Sequence, residues 1–208
     1  MITSKVITKD FEFPFIVKTP KEMKKNLPLI VQLHGAGERG NGDNLDVVQI
    51  HGFLNVITDD KEIDCVLVEP QCPSNSFWAA NVPYIKSFIE KLIKKYECDE
   101  KRIYLTGLSM GGYGTWFTAM AYPQMFAAIA PCCGGGMPWN ASVLTMPVWA
   151  FHGGKDDTVF PYETENMVKA MKNAGLNPKM TIFPEYGHNS WEKAYSEELL
   201  NWLLKQSK

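Results

Sequence analysis

The chain has 208 residues, 45% of them hydrophobic and 21% charged, which suits one sizeable globular core and is short for two. A formal net charge of −2 gives a nucleic acid or an anionic membrane surface nothing to bind. No apolar stretch reaches the ~18 residues that a spanning helix needs, and five cysteines without a C-x-x-C indicate buried free thiols rather than a disulfide framework or a zinc knuckle.

The first residues, MITSKVITKDFEFPF, lack the apolar block of a signal peptide, which points to the cytoplasm; a trimmed leader would make the same chain secreted. Residues 5–17 alternate loosely and predict an antiparallel hairpin or edge strands. Leu29 to Leu33 (LIVQL) and Cys65 to Val68 (CVLV) are short apolar runs, ending at His34–Gly35 and Glu69–Pro70. From Val82 to Tyr96, apolar residues recur at three and four, the spacing of an amphipathic helix. Arg102 to Thr106 is a third apolar run. Tyr113 to Tyr122 reads as a helix stopped by Pro123, and Phe126 to Pro131 is a fourth run. Val148 to Phe151 is a fifth, ending at His152–Gly153. Tyr162 to Ala174 reads as a helix closed by Gly175, Lys179 to Phe183 as a sixth run and Ala194 to Lys205 as a closing amphipathic helix. Short apolar runs alternating with helices predict a mostly parallel sheet buried on both faces by helices, one α/β domain over residues 1–208.

The segment LTGLSMGG (105–112) sits at the carboxyl end of the third run, where ligands meet an α/β sheet. Glycines two residues either side of Ser109 fit a strand-to-helix turn so sharp that a Cβ at Gly107 or Gly111 would clash. Such a turn exposes the serine hydroxyl and aims the Met110 N–H at a reacting carbonyl oxygen. A serine hydroxyl is a weak nucleophile until a base takes its proton and an acid orients that base. On a sheet of this kind the order is serine, acid, histidine. Only His152 and His188 follow Ser109. His188 lies in a loop after the sixth run and is the expected base; His152 closes the fifth run, where a structural role is expected. Asp156 and Asp157 both lie where the acid belongs, with Asp156 the first choice.

Four stretches, LHGAGERG (33–40), GLSMGGYGTW (107–116), FHGGKDDTVFP (151–161) and GHNSW (187–191), together resemble the α/β-hydrolase superfamily. The likeness is to its small carboxylesterase, phospholipase and dienelactone-hydrolase-like branch. It implies an α/β-hydrolase fold with Ser109, Asp156 and His188 as catalytic triad. It also implies a second oxyanion donor at the Ala36 N–H, with Gly37 the next candidate, and no metal or organic cofactor. Only a short loop separates Cys133 from Pro147, so no large cap fits. Trp78, Trp139 and Trp191 fall in loops near the expected active end, where they would line an aromatic or acyl pocket; for any one of them alone, packing is the simpler role. The expected activity is hydrolysis of a small-molecule carboxylic ester through an acyl-enzyme. A serine peptidase for short peptides shares these residues, and a binding module without turnover is the third alternative.

Overall fold

The computed structural model describes residues 1–208. Apolar runs that face helices on both sides become the central strands, as their lack of alternation requires. The eight strands are β1 (Ile2–Val6), β2 (Phe15–Thr19), β3 (Leu29–Leu33), β4 (Val66–Pro70), β5 (Ile103–Leu108), β6 (Ala128–Cys132), β7 (Trp149–Gly153) and β8 (Lys179–Phe183). They form one sheet in the order β1-β2-β4-β3-β5-β6-β7-β8. β1 and β2 are antiparallel to their neighbours, and β3 to β8 are parallel. The expected hairpin near the start is therefore β1 and β2, at the edge of the sheet. Most neighbouring strands pair over three or more positions. β6 and β7 share only the pair Cys132 and Phe151, with an isolated bridge between Ile129 and Val148.

The helices are α1 (Phe53–Val56), α2 (Val82–Tyr96), α3 (Met110–Ala121), α4 (Tyr162–Asn173), α5 (Trp191–Ala194) and α6 (Glu197–Leu204). Along each central strand, alternate side chains feed two apolar layers. Leu29, Val31 and Leu33 of β3 and Leu105 of β5 meet Phe88 and Leu92 of α2, Trp116 of α3, and Met167 and Met171 of α4. Ile30 and Tyr104 point the other way, toward Phe53 of α1 and Leu199 and Leu203 of α6. The methionines of α4 are thus core. The closing helix expected over 194–205 is α6, Glu197–Leu204, starting later because the chain breaks at Tyr195 after the short α5 and Ser196 caps the new start, its hydroxyl accepting from the Leu199 N–H at 3.3 Å. All five cysteines are free and buried, and no helix is long and apolar enough to cross a membrane.

Between β6 and β7 the chain holds only a 3-10 turn, Pro138–Val143. The connection after β6 therefore carries no inserted helical cap.

Candidate active site

Ser109 stands between the last residue of β5 and the first of α3 with φ 54° and ψ −117°, a positive-φ conformation that costs a non-glycine residue roughly 1–3 kcal/mol. The surroundings enforce it. A Cβ on Gly107 would lie 2.3 Å from the Gly111 carbonyl oxygen, and one on Gly111 would lie 1.9 Å from the Leu33 carbonyl oxygen. Only glycine allows β3, β5 and α3 to approach this closely, which explains the spacing in the sequence.

The Ser109 hydroxyl lies 2.8 Å from His188 Nε2. The other ring nitrogen, Nδ1, lies 2.7 Å from Asp156 Oδ2. An ionised carboxylate can only accept, so Nδ1 carries the proton and Nε2 is left free to accept from the serine. The loops bearing the acid and the imidazole are stitched together by backbone bonds from Gly154 N–H to Phe183 O (2.8 Å) and from Lys155 N–H to Tyr186 O (2.9 Å). Asp156 is 3% exposed, and its other oxygen accepts from the Thr158 and Val159 N–H groups at 3.0 and 2.9 Å. Burial pushes its carboxyl up, but the bonds from His188 and from these two N–H groups outweigh burial and hold it below the ordinary carboxylate value. Asp157 is exposed and meets only the Thr158 hydroxyl, at 3.4 Å. It is Asp156 that reaches His188.

His152 is fully buried beneath this group. Its Nε2–H donates to Val159 O at 2.8 Å and stands 3.3 Å from Asp156 Oδ2, while Nδ1 lies 2.8 Å from the Thr164 hydroxyl. Burial lowers its basicity. It braces the loop carrying Asp156, in line with the structural role expected of it.

The Ala36 N–H belongs to a loop that begins at His34. The Cys72 N–H donates to His34 Nε2 at 2.9 Å, so Nδ1 carries the proton and donates to the Gly35 carbonyl at 2.5 Å. That carbonyl and the Ala36 N–H share one peptide group, so His34 fixes the plane in which Ala36 presents its donor. The loop adjoins the serine: the point a Gly35 Cβ would occupy is 3.7 Å from Ser109 Cβ. His34 is 1% exposed, and burial drives its pKa down to about 4. Arg39 adds a bond to the Ala36 carbonyl at 2.8 Å.

The three tryptophans separate. Trp78 is fully buried and donates to the His34 carbonyl at 3.0 Å, so it supports the loop from within instead of lining a pocket. Trp191 packs edge-on against His188 at 5.1 Å and against His51 at 5.6 Å, beside the imidazole. Trp139 is 81% exposed. His51 carries no signal in the sequence, since its surroundings, VVQIHGFLNVI, contain no motif that singles it out.

Cys133 also approaches the site. Its Sγ lies 2.8 Å from the Ser190 hydroxyl. That sulfur, an Asp156 oxygen and a His188 nitrogen fall within 4.8 Å of one another, a donor set of the type that binds zinc, although two of its members already bond to each other.

A strained serine at the end of the fifth strand, facing a histidine held by an aspartate on later loops, over a mostly parallel eight-stranded sheet, is the architecture of an α/β hydrolase. Comparison narrows this: the chain belongs to the phospholipase/carboxylesterase family, whose profile matches residues 64–202. Among curated proteins it is similar to a bifunctional acetylxylan esterase/xylanase of Neocallimastix patriciarum, at 29% identity over 160 residues (74% of this chain, 23% of the relative). It is similar also to the poly(3-hydroxyalkanoate) depolymerase C of Paucimonas lemoignei, at 27% identity over 153 residues (67% of this chain, 35% of the relative). The chain thus spans between 23% and 35% of the length of these two relatives. A crystal structure of a thermostable esterase superposes with a TM-score of 0.81 and 32% identity, covering 100% of this chain and 63% of that one. The structure of esterase PE8 superposes at 0.70 with 20% identity, covering 92% and 98%, and bears on the fold alone.

Proposed function

We propose that the protein hydrolyses carboxylic esters through a serine nucleophile. The observation that carries this reading is the unbroken chain from Ser109 Oγ through His188 to Asp156, with contacts of 2.8 and 2.7 Å. In this reading His188 takes the Ser109 proton as the oxygen attacks the acyl carbonyl. The carbonyl oxygen gains charge and is received by the N–H groups of Met110 and Ala36; removing one such donor typically costs roughly 3 kcal/mol of barrier stabilisation. His188 then protonates the departing alcohol, leaving the acyl group on Ser109. A water, deprotonated by the same imidazole, releases the acid and restores the serine. Asp156 steadies the imidazolium and stays ionised throughout. The family assignment and the esterases among its relatives support the same class.

The test is hydrolysis of p-nitrophenyl acetate, butyrate and octanoate by the protein and by Ser109→Ala. Turnover of a short ester by the protein, lost in the variant, is expected, and the chain-length profile then sizes the acyl site. No turnover of any of the three by the protein would overturn the reading for simple esters. Release from an aminoacyl p-nitroanilide in place of the esters would favour a peptidase.

A further inference from the structure

Most aromatic side chains are at least partly covered. Five are exposed: Phe77, Tyr84, Trp139, Phe160 and Tyr162, each at least half accessible. All five lie at one end of the molecule. Phe77 is in the connection that leaves β4, and Tyr84 is in the first turn of α2 that this connection enters. Trp139 is in the connection after β6. Phe160 and Tyr162 lie after β7, at the start of α4, with their rings stacked at 5.5 Å and 13°. These connections rise from the same carboxyl ends of the strands as Ser109. Exposed large aliphatic side chains are fewer at this end: Ile7, in the loop between β1 and β2, and Ile50, in the connection leaving β3.

Their arrangement has a length. From β4 to β7 the sheet order crosses four strand spacings, β4-β3-β5-β6-β7, or about 19 Å at ~4.8 Å each. Ser109, at the end of β5, falls at the midpoint. A small ester held at Ser109 cannot touch both ends of such a row, whereas an extended chain can.

The chemistry of the row favours one kind of chain. An anionic lipid surface would call for a cluster of lysine and arginine, and the segments 34–42, 71–84, 133–147 and 154–162 hold two basic residues, Arg39 and Lys155. Exposed between the rings are the uncharged, hydrogen-bonding Ser74, Asn75, Ser142 and Thr158, with three charged side chains among them, Arg39, Lys155 and Asp157. Flat rings set among mostly neutral polar groups complement a pyranose, which offers a C–H face for stacking and hydroxyls at its edge. We propose that the substrate is a neutral polysaccharide bearing ester-linked acyl groups, laid across the carboxyl end of the sheet on these five aromatic side chains, with one acyl group over Ser109. The proposal rests on the ester-hydrolase reading given above.

The experiment compares the protein with two double variants, Phe160→Ala/Tyr162→Ala and Phe77→Ala/Tyr84→Ala. Three readouts are taken: p-nitrophenyl acetate hydrolysis, acetate release from acetylated xylan and acetylated glucomannan, and retardation on electrophoresis through soluble unacetylated xylan or glucomannan. The expected result is p-nitrophenyl acetate turnover within about twofold in all three proteins, kcat/KM on at least one polymer about tenfold lower in each double variant, and retardation weakened in both. Polymer cleavage that is absent, or that does not depend on the aromatic residues, overturns the proposal while leaving the ester-hydrolase reading intact. Aromatic-dependent erosion of a poly(3-hydroxybutyrate) film without any polysaccharide effect overturns it in favour of a polyester. Failure on p-nitrophenyl acetate and on both polymers removes the ester-hydrolase reading itself.

Discussion

Asp156 and His188 meet through Oδ2 and Nδ1 at 2.7 Å, and this one contact decides which ring nitrogen is available to Ser109. An asparagine at 156 could turn its amide NH2 toward Nδ1, which would place the ring proton on Nε2, facing the serine, where it blocks deprotonation. Asp156→Asn is therefore expected to lower kcat for ester hydrolysis on the order of 10³–10⁴-fold with the fold retained. Asp157→Asn, at an exposed position, is expected to stay within about twofold. Equal losses in the two variants would remove Asp156 from its assigned role.

The backbone at Ser109 predicts a separation of stability from activity. Its φ of 54° is unfavourable for any residue with a Cβ. Ser109→Ala keeps that strain and Ser109→Gly relieves it, so glycine is expected to be more stable than alanine by about 1 kcal/mol despite its greater freedom when unfolded. Both should be inactive. Urea denaturation of the two variants measures the difference, and alanine at or above glycine would contradict it.

Gly111 predicts the opposite outcome. A Cβ there would lie 1.9 Å from the Leu33 carbonyl oxygen, a backbone atom of a central strand that cannot swing aside. Gly111→Ala is expected to cost about 3 kcal/mol or more and to lower the unfolding midpoint sharply. Gly37→Ala, in the same region but with nothing within 4 Å of the new methyl, is the matched control.

His34 predicts an acid sensitivity. Its folded pKa is about 4, below the ordinary histidine value of 6.5. As pH falls from 6.5 toward 4, the unfolded chain takes up a proton at this residue that the folded chain does not. The stability it contributes is complete above 6.5 and is lost progressively down to about 4, a loss of roughly 3 kcal/mol. Denaturant unfolding from pH 4.5 to 7 should show a slope that His34→Gln reduces, whatever the variant's absolute stability. Equal slopes would show that the imidazole is not held neutral.

Much of this molecule is legible in its sequence because burial on both faces of a parallel sheet leaves unbroken apolar runs. LIVQL, CVLV and VWAF each become strands and stop where the loops bearing functional groups begin. Ser109 and His188 are legible because close backbone approach leaves a glycine pattern and because few histidines compete. The stretch from His34 to Cys65 is not: its 3-10 turns and the four-residue α1 are too short to impose a period. Nor does sequence separate Trp78, sealed inside and bonded to His34, from Trp139, open to solvent, since both sit in similar polar loops. The role of His34 depends on a partner at Cys72, which spacing alone does not reveal.

The thin pairing between β6 and β7 has a consequence for how such a molecule would wear out. Ser109 stands on the β5 side of that junction, and Asp156 and His188 follow β7 and β8 on the other. The proposed triad thus rides on two slabs fastened by the fewest rungs. Gentle heating should let the slabs slip before either one melts, so the protein would go silent while still looking folded, and cooling would bring it back.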